Sequence, residues 1–311
     1  MIVINGLNEI REGVPLAVTT GFFDGVHVGH RFMLNELQRI AGERGLASAV
    51  VTFTSHPRRV LQTDFQPALL TSFEEKMMRM AETPVQYCIV LDFTAELAAI
   101  TAQEYIINVL AGQCGARLLL VGHDHRFGRN RSEGLDEYRQ YGASCGVEIV
   151  VAGRYAEEGV TVSSSSIRRL LGDGKVEQAA RLLTYNYRLA GRVVAGHQIG
   201  RSLGFPTVNL ALEDEFKMLP RTGVYAARAW LGGRAYAGML YVGYRPTFNG
   251  TDGKVTEVHL IDFSGDAYGK DVIVELVGFV RDDVRFASVD ELKAQLDMDR
   301  EMILKLLGNG E

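Results

Sequence analysis

Two histidines three residues apart, His27 and His30, lie in the glycine-rich stretch Gly21-Phe22-Phe23-Asp24-Gly25-Val26-His27-Val28-Gly29-His30. The run before it, Leu16 to Thr20, is apolar and partly β-branched over a length that suits a buried strand. After it, Met33, Leu37, Ile40 and Ala41 recur at helical spacing. A glycine-rich turn between a strand and a helix start is where an α/β sheet places phosphate groups, because the free N–H groups of the first turn point at the ligand. Gly21 and Gly29 let backbone approach a phosphate, and each imidazole can donate a hydrogen bond to charge developing there. The same histidines, with His123, Asp124 and His125 elsewhere, also form a set that could hold zinc or iron. The first-turn position and the two glycines favour phosphate over metal, and over simple packing. Asp24 reads as a turn residue or as a group that positions a histidine or a metal-bound phosphate.

The elements that must position these residues alternate in type. Strands are expected at Leu16–Thr20, Leu46–Phe53, Val85–Leu91, Ala116–Val121 and Val147–Val151. Between them, Ser72 followed by Glu75 is a capping-box pattern before a helix whose Met77, Met78 and Met80 read as core packing. Thr101 with Glu104 begins another helix in the same way. This alternation predicts an α/β, mostly parallel, doubly wound (Rossmann-like) sheet with ligands beyond the carboxyl ends of its strands. The polar clusters at Gly21–His30, at His56 with Arg58, and at Gly122–Gly128 all follow strands at that edge. Ser163 to Ser166 before Ile167 and Arg168 reads either as an N-cap or as a phosphate clamp of hydroxyls and a guanidinium.

After Thr184 the pattern changes. Tyr187 to Val194 alternates, glycines recur at 191, 196, 200 and 204, and β-type runs follow at 223–230, 235–242, 256–263 and 271–280. Gly232-Gly233 between two of them is a hairpin signal. Short strands at regular spacing predict a compact antiparallel β-barrel. Ser288 with Glu291 then caps a final amphipathic helix carrying Leu292, Leu296, Ile303 and Leu306. Two domains are expected, 1–184 and 185–311, joined without a low-complexity linker.

The 311 residues are 47% hydrophobic and 23% charged, with a formal net charge of -5 and no long basic run, which argues against duplex nucleic acid as a partner. The chain shows no membrane-length apolar run and no basic-then-apolar signal at Met1. Three dispersed cysteines do not make a disulfide framework, and the cytoplasm is the expected compartment. Asn249-Gly250-Thr251 is expected to be a hairpin turn rather than a glycosylation site.

Taken in order, these motifs form a resemblance. The Gly21–His30 stretch resembles the HxGH signature of the nucleotidyltransferase superfamily, in the wording of bacterial bifunctional riboflavin kinase/FAD synthetases. The segments Thr52-Phe53 with His56-Pro57, Val121 to Gly128 with Arg131, and Val162 to Arg168 are similar to that family's later blocks. Gly200-Arg201 through Gly204-Phe205-Pro206-Thr207 to Asn209-Leu210 resembles the flavokinase signature, followed by Gly243 to Phe248, Glu257 with His259, and Asp262 to Gly269. The resemblance runs over nearly the whole chain. His125 stands where phenylalanine is usual, and His123 where an acidic residue is common.

The resemblance implies an N-terminal FMN adenylyltransferase and a C-terminal riboflavin kinase, with riboflavin, FMN, FAD and ATP as ligands and Mg²⁺ as cofactor. A monomer or weak oligomer is expected, a point the resemblance does not address. It implies that His27 and His30 are catalytic, and that Gly21, Phe23, Asp24, Gly29, Ser164, Ser165 and Arg168 serve ATP and its phosphates. His56, Arg58, Asp124, Arg126 and Phe127 would face the flavin. In the second domain Gly196, Gly200, Arg201 and Gly204 would pack over the nucleotide, and Glu257 would be the general base for the riboflavin hydroxyl. Thr207 and Asn209 offer neutral oxygens for Mg²⁺ and phosphate, two residues apart so that an extended strand aims both the same way. Competing readings are another nucleotidyltransferase in the N-terminal domain, a metal-dependent hydrolase, and a flavin-binding regulator.

Overall fold

Six parallel strands build the sheet of the first unit: β1 (Ile2–Asn5), β2 (Leu16–Thr20), β3 (Ala47–Phe53), β4 (Tyr87–Leu91), β5 (Ala116–Val121) and β6 (Glu148–Val151). Their order is β1-β4-β3-β2-β5-β6, so the direction of winding reverses between β2 and β5. Helices cover both faces, which is why β2 is buried at every position rather than alternating. Ala17, Leu118 and Leu120 pack against Leu37 and Ile40 of α1 (Val28–Arg44), while Val18, Leu119 and Val121 enter the core on the other face. Strand β1, at the sheet edge, has no counterpart among the expected strands, because its four residues are mostly exposed and carry no alternation.

In this computed structural model the described residues are 1–7, 13–56, 68–123, 125–129, 131–155, 162–194, 204–244 and 254–308. Arg58, Asp124, Gly196, Gly200 and Arg201 lie outside them, as does the Asn249 turn.

Ser72 and Glu75 form the expected capping box of α2 (Phe73–Ala81). Met80 is fully buried and Met77 packs against the same cluster, but Met78 faces solvent. After α3 (Ala95–Ala99), the Thr101/Glu104 capping box opens α4 (Ala102–Glu104). This runs into α5 (Tyr105–Gln113), a π-type segment closed by the Cys114 N–H donating 2.8 Å to the Val109 carbonyl. Among the described residues, the remaining helix of this unit is α6 (Leu135–Cys145).

Compact units divide the chain into Met1–Ser163 and Ser164–Glu311. Helices α7 (Ser164–Gly172) and α8 (Val176–Leu183) therefore pack with the second unit, although the sequence pattern changes only after Thr184. Arg221 N–H donates 2.9 Å to the Leu171 carbonyl, and Phe279 N–H donates 3.2 Å to Glu177 Oε1. Strands β7 (Arg188–Val194), β8 (Thr207–Leu212), β9 (Gly223–Leu231), β10 (Arg234–Tyr244), β11 (Lys254–Leu260) and β12 (Asp271–Arg281) close into an antiparallel barrel of order β10-β11-β8-β7-β12-β9. Gly232 and Gly233, at φ 57° and 79°, make the β9–β10 hairpin. Helix α9 (Val289–Gly308) is tied to the barrel by Arg281, whose Nε donates 2.9 and 3.0 Å to both oxygens of the buried Asp299. Ile303 and Leu296 add the apolar contact.

Candidate active sites

The turn between β2 and α1 packs several left-handed residues into a short span: Phe23 (φ 56°), Gly25 (φ 80°) and Val26 (φ 36°). A β-branched residue in that region is strained, and such strain persists only where the surroundings over-determine it. Asp24 supplies much of that hold. Its buried carboxylate accepts from Leu70 N–H (3.0 and 3.1 Å), Thr71 N–H (3.2 Å) and the Thr71 hydroxyl (3.3 Å), while Gly25 N–H donates to Thr71 Oγ1. Of the two sequence readings of Asp24, the turn-forming one has direct geometric support.

His27 caps α1: its Nδ1 accepts the His30 N–H at 3.3 Å, so a neutral His27 carries its proton on Nε2. The two imidazoles stack at 3.6 Å between centroids and 16°, and Phe23 meets His30 edge-on at 5.1 Å. Gly29 permits this arrangement, since a Cβ there would lie 3.3 Å from the His27 ring. His30 Nδ1 is buried and finds no partner among the described residues. Burial, and then the neighbouring His27 and His125, hold the His30 pKa well below the ordinary histidine value. Burial and Arg131 hold His125 at about 4. At neutral pH His30 and His125 are uncharged, and they can act as hydrogen-bonding groups but not as cations.

His125 comes from the loop after β5, so the clusters after β2 and β5 meet at the reversal point of the sheet, where open α/β folds bind ligands. That loop is held from behind. Phe127 stacks on Tyr138 (4.4 Å, 18°), meets Tyr105 edge-on at 5.5 Å, and donates its N–H to the Tyr138 hydroxyl. The Tyr105 hydroxyl in turn hydrogen-bonds Thr20 Oγ1, at the end of β2, over 2.8 Å. Gly128 (φ 87°) lies so close to Ala102 that a Cβ would fall 2.5 Å from its nitrogen. Arg126 is exposed. After β3, His56 sits edge-on to Phe22 at 4.8 Å. Gly21 follows β2, its N–H donating 3.0 Å to the Val51 carbonyl.

In the second unit, Ser164, Ser165 and Arg168 occupy the first turns of α7. Gly204 (φ 84°) precedes β8. Strand pairing sets Glu257 opposite Asn209 and His259 opposite Thr207, which puts all four side chains on one face. The Thr207 hydroxyl donates 3.1 Å to Glu257 Oε2. Thr207, Glu257 and His259 line a cavity of about 310 Å³, together with Asp283 and with Tyr241, the cross-strand partner of Glu257. Asn209 is not part of that lining. Tyr241 donates 3.0 Å to Asp283 Oδ2, and burial, then Asp283 and Glu257, push its pKa up to about 12. His259 Nδ1 lies 2.9 Å from the Pro206 carbonyl, and burial lowers its pKa. Among the described residues no group of three or more His, Cys, Asp or Glu side chains is arranged to hold a metal ion.

Sequence reasoning missed Tyr241, Asp283, Tyr105 and Lys76. Lys76 had a signal: it stands three residues after Phe73 and four before Met80, inside the apolar stripe of α2.

A model for FAD synthetase matches residues 10–166, and one for riboflavin kinase matches residues 183–307. A protein of Escherichia coli (strain K12) named bifunctional riboflavin kinase/FMN adenylyltransferase is 38% identical over 304 residues, covering 96% of each chain. The chain belongs to the bifunctional riboflavin kinase/FMN adenylyltransferase family. A member from Listeria monocytogenes is 32% identical over 282 residues, covering 90% of this chain and 89% of its own. A crystal structure described as a macrolide-efflux protein from Streptococcus pneumoniae superposes with a TM-score of 0.85 at 30% identity, over 97% of this chain and 99% of that one. The efflux description belongs to that protein. In the present chain no helix among the described residues is long and apolar enough to cross a membrane.

Proposed function

We propose that this chain makes FAD from riboflavin in two ATP-dependent steps, each in its own unit. Membership of the family supports the pair of activities and their order along the chain. The observation that carries the reading to residues is the Thr207–Glu257 pair, a carboxylate beside a hydroxyl on the wall of a cavity large enough for a small ligand.

In the second unit Glu257 accepts the proton of the riboflavin 5′-hydroxyl as that oxygen bonds to the γ-phosphorus of ATP and ADP leaves. Thr207 and Asn209 present neutral oxygens from one strand face, a donor set suited to Mg²⁺ shared with substrate phosphates. When bound, Mg²⁺ supplies neutralisation of phosphate charge. Gly196, Gly200, Arg201 and Gly204 serve the nucleotide.

In the first unit an FMN phosphate oxygen bonds to the α-phosphorus of ATP and pyrophosphate leaves. His27 and His30 hydrogen-bond the charge that builds on the α-phosphate and the leaving group, from a turn where Gly21, Phe23 and Gly29 admit phosphate and Asp24 holds the geometry. His56, Arg58, Asp124, Arg126 and Phe127 serve the flavin side. The working compartment is the cytoplasm, the chain acts as a monomer or weak oligomer, and neither nucleic acid nor membrane is a partner.

Incubation of the protein with riboflavin, ATP and Mg²⁺, with chromatographic separation over time, tests the scheme. FMN should appear first and FAD follow. FAD without prior FMN, or neither product, would overturn it.

A further inference from the structure

Lys76 carries an ammonium group into the core of the first unit, and nothing in the two-step scheme uses it. The residue is 1% exposed. Its Nζ donates 2.7 Å to the carbonyl of Phe53, the last residue of β3, and 3.3 Å to Thr52 Oγ1. The same nitrogen lies 4.2 Å from the centre of the Phe22 ring and 5.4 Å from that of Phe73. Phe22 is doubly held, because Thr52 Oγ1 donates to its carbonyl at 3.3 Å and His56 rests edge-on against its ring. Asp24, two residues on, reaches in the opposite sense, from the turn back to Leu70 and Thr71 ahead of α2. Two charged side chains thus run in opposite directions between the same two segments.

Packing does not call for a charge here. A methionine would fill the volume of the lysine stem without its desolvation cost, and α2 already carries methionines at 77, 78 and 80. An ammonium at the carboxyl edge of a parallel sheet is different, because it fixes backbone carbonyls and attracts anions where the ligand crevice lies. We propose that Lys76 is a positioning residue for adenylyl transfer: its charge locks Phe22 to the end of β3 and so sets the seat that His56 and the β2–α1 turn offer to the FMN phosphate. This rests on the proposed function of the first unit.

Burial lowers the Lys76 pKa to about 8, against an ordinary lysine value of 10.5. Among the described residues, the ionisable groups acting on it are Cys88 from β4, whose thiol burial pushes up to about 12, and Asp24 from the turn. The charge is therefore present at neutral pH and lost in mild alkali.

The test compares wild type with Lys76→Met in the full chain, supplying FMN, ATP and Mg²⁺. The KM for FMN should rise about tenfold or more, with riboflavin phosphorylation unchanged. The difference between the two proteins should shrink from about pH 7 to about pH 9.5 as the wild-type lysine deprotonates, which a purely structural lysine would not produce. A variant equal to wild type at neutral pH, or a difference constant across that range, overturns the role. If the variant does not fold, the wild type decides alone. Its kcat/KM for FMN should fall through about pH 8 relative to its riboflavin phosphorylation, and a flat ratio overturns the inference. A wild type that forms no FAD at all would instead overturn the proposed function.

Discussion

The hydroxyl of Thr207 donates to Oε2 of Glu257 across 3.1 Å, joining adjacent strands β8 and β11 at the wall of the barrel cavity. That bond orients the carboxylate in the cavity wall. Replacing Glu257 with alanine should slow FMN formation by about 10²- to 10⁴-fold, the range of a lost general base. Supplied FMN should still be converted to FAD. The assay is product separation with riboflavin and then FMN as substrate, and normal riboflavin phosphorylation would remove Glu257 from the base role.

In the first unit the complementary pattern is expected. His30→Ala should cut FAD formation by about 10²- to 10³-fold, as for one lost charge-stabilising donor, while FMN accumulates from riboflavin. Loss of both activities together would argue against separate centres.

Asp24 binds a segment 46 and 47 residues away with a buried carboxylate. Asp24→Ala strands two backbone N–H groups and relaxes a strained turn, and should cost roughly 2 to 4 kcal/mol. Thermal unfolding of the full chain should show the first transition moving down. If the melt is unchanged and adenylyl transfer alone fails, Asp24 acts on substrate rather than on the turn.

Lys76 makes an opposite stability prediction. Its folded pKa of about 8 lies below the ordinary 10.5, so the unfolded chain binds the proton more readily between those values. Stability of the first unit should therefore rise as pH goes from about 8 to about 10.5, and the penalty at neutral pH is roughly 3 kcal/mol. Lys76→Met removes that penalty together with two charge-assisted hydrogen bonds worth about 1.5 to 3 kcal/mol each, and it removes the rise in stability between those pH values. Urea unfolding at about pH 8 and about pH 10 measures the rise, and a variant that keeps it would contradict the assignment to Lys76.

The histidines titrate on the acid side. His30 and His125 are held below 6.5 in the folded chain, so protonation favours the unfolded state once pH drops under that value. Stability of the first unit should fall from about pH 6.5 towards about pH 4, and His125→Phe should lose part of that dependence. Melting curves across the range check it, and an unchanged slope in the variant would exclude His125 as a contributor.

Much of this was legible in the residue order. The buried run of β2, the capping boxes at Ser72 and Thr101, the Gly232-Gly233 hairpin and the change to barrel strands all have local patterns. His27, His30, Thr207 and Glu257 stand in motifs whose chemistry can be named from residue type alone. What stayed hidden has no local pattern. Strand β1 is short and exposed, and the π-type register of α5 depends on backbone hydrogen bonds rather than on side-chain spacing. Tyr241 meets Asp283 42 residues later, and Asp24 meets Leu70 only once the turn and α2 are docked. A single lysine in an apolar stripe reads as solvated until its neighbours close over it.

His27 has two ring nitrogens, and the fold has already spent one of them on the first turn of a 17-residue helix. A proton on Nδ1 would break that cap and leave a helix N–H without its acceptor, so the cap and the Nδ1-protonated ring exclude each other. The tautomer of a neutral His27 is thus chosen by helix α1 during folding, before any ligand arrives.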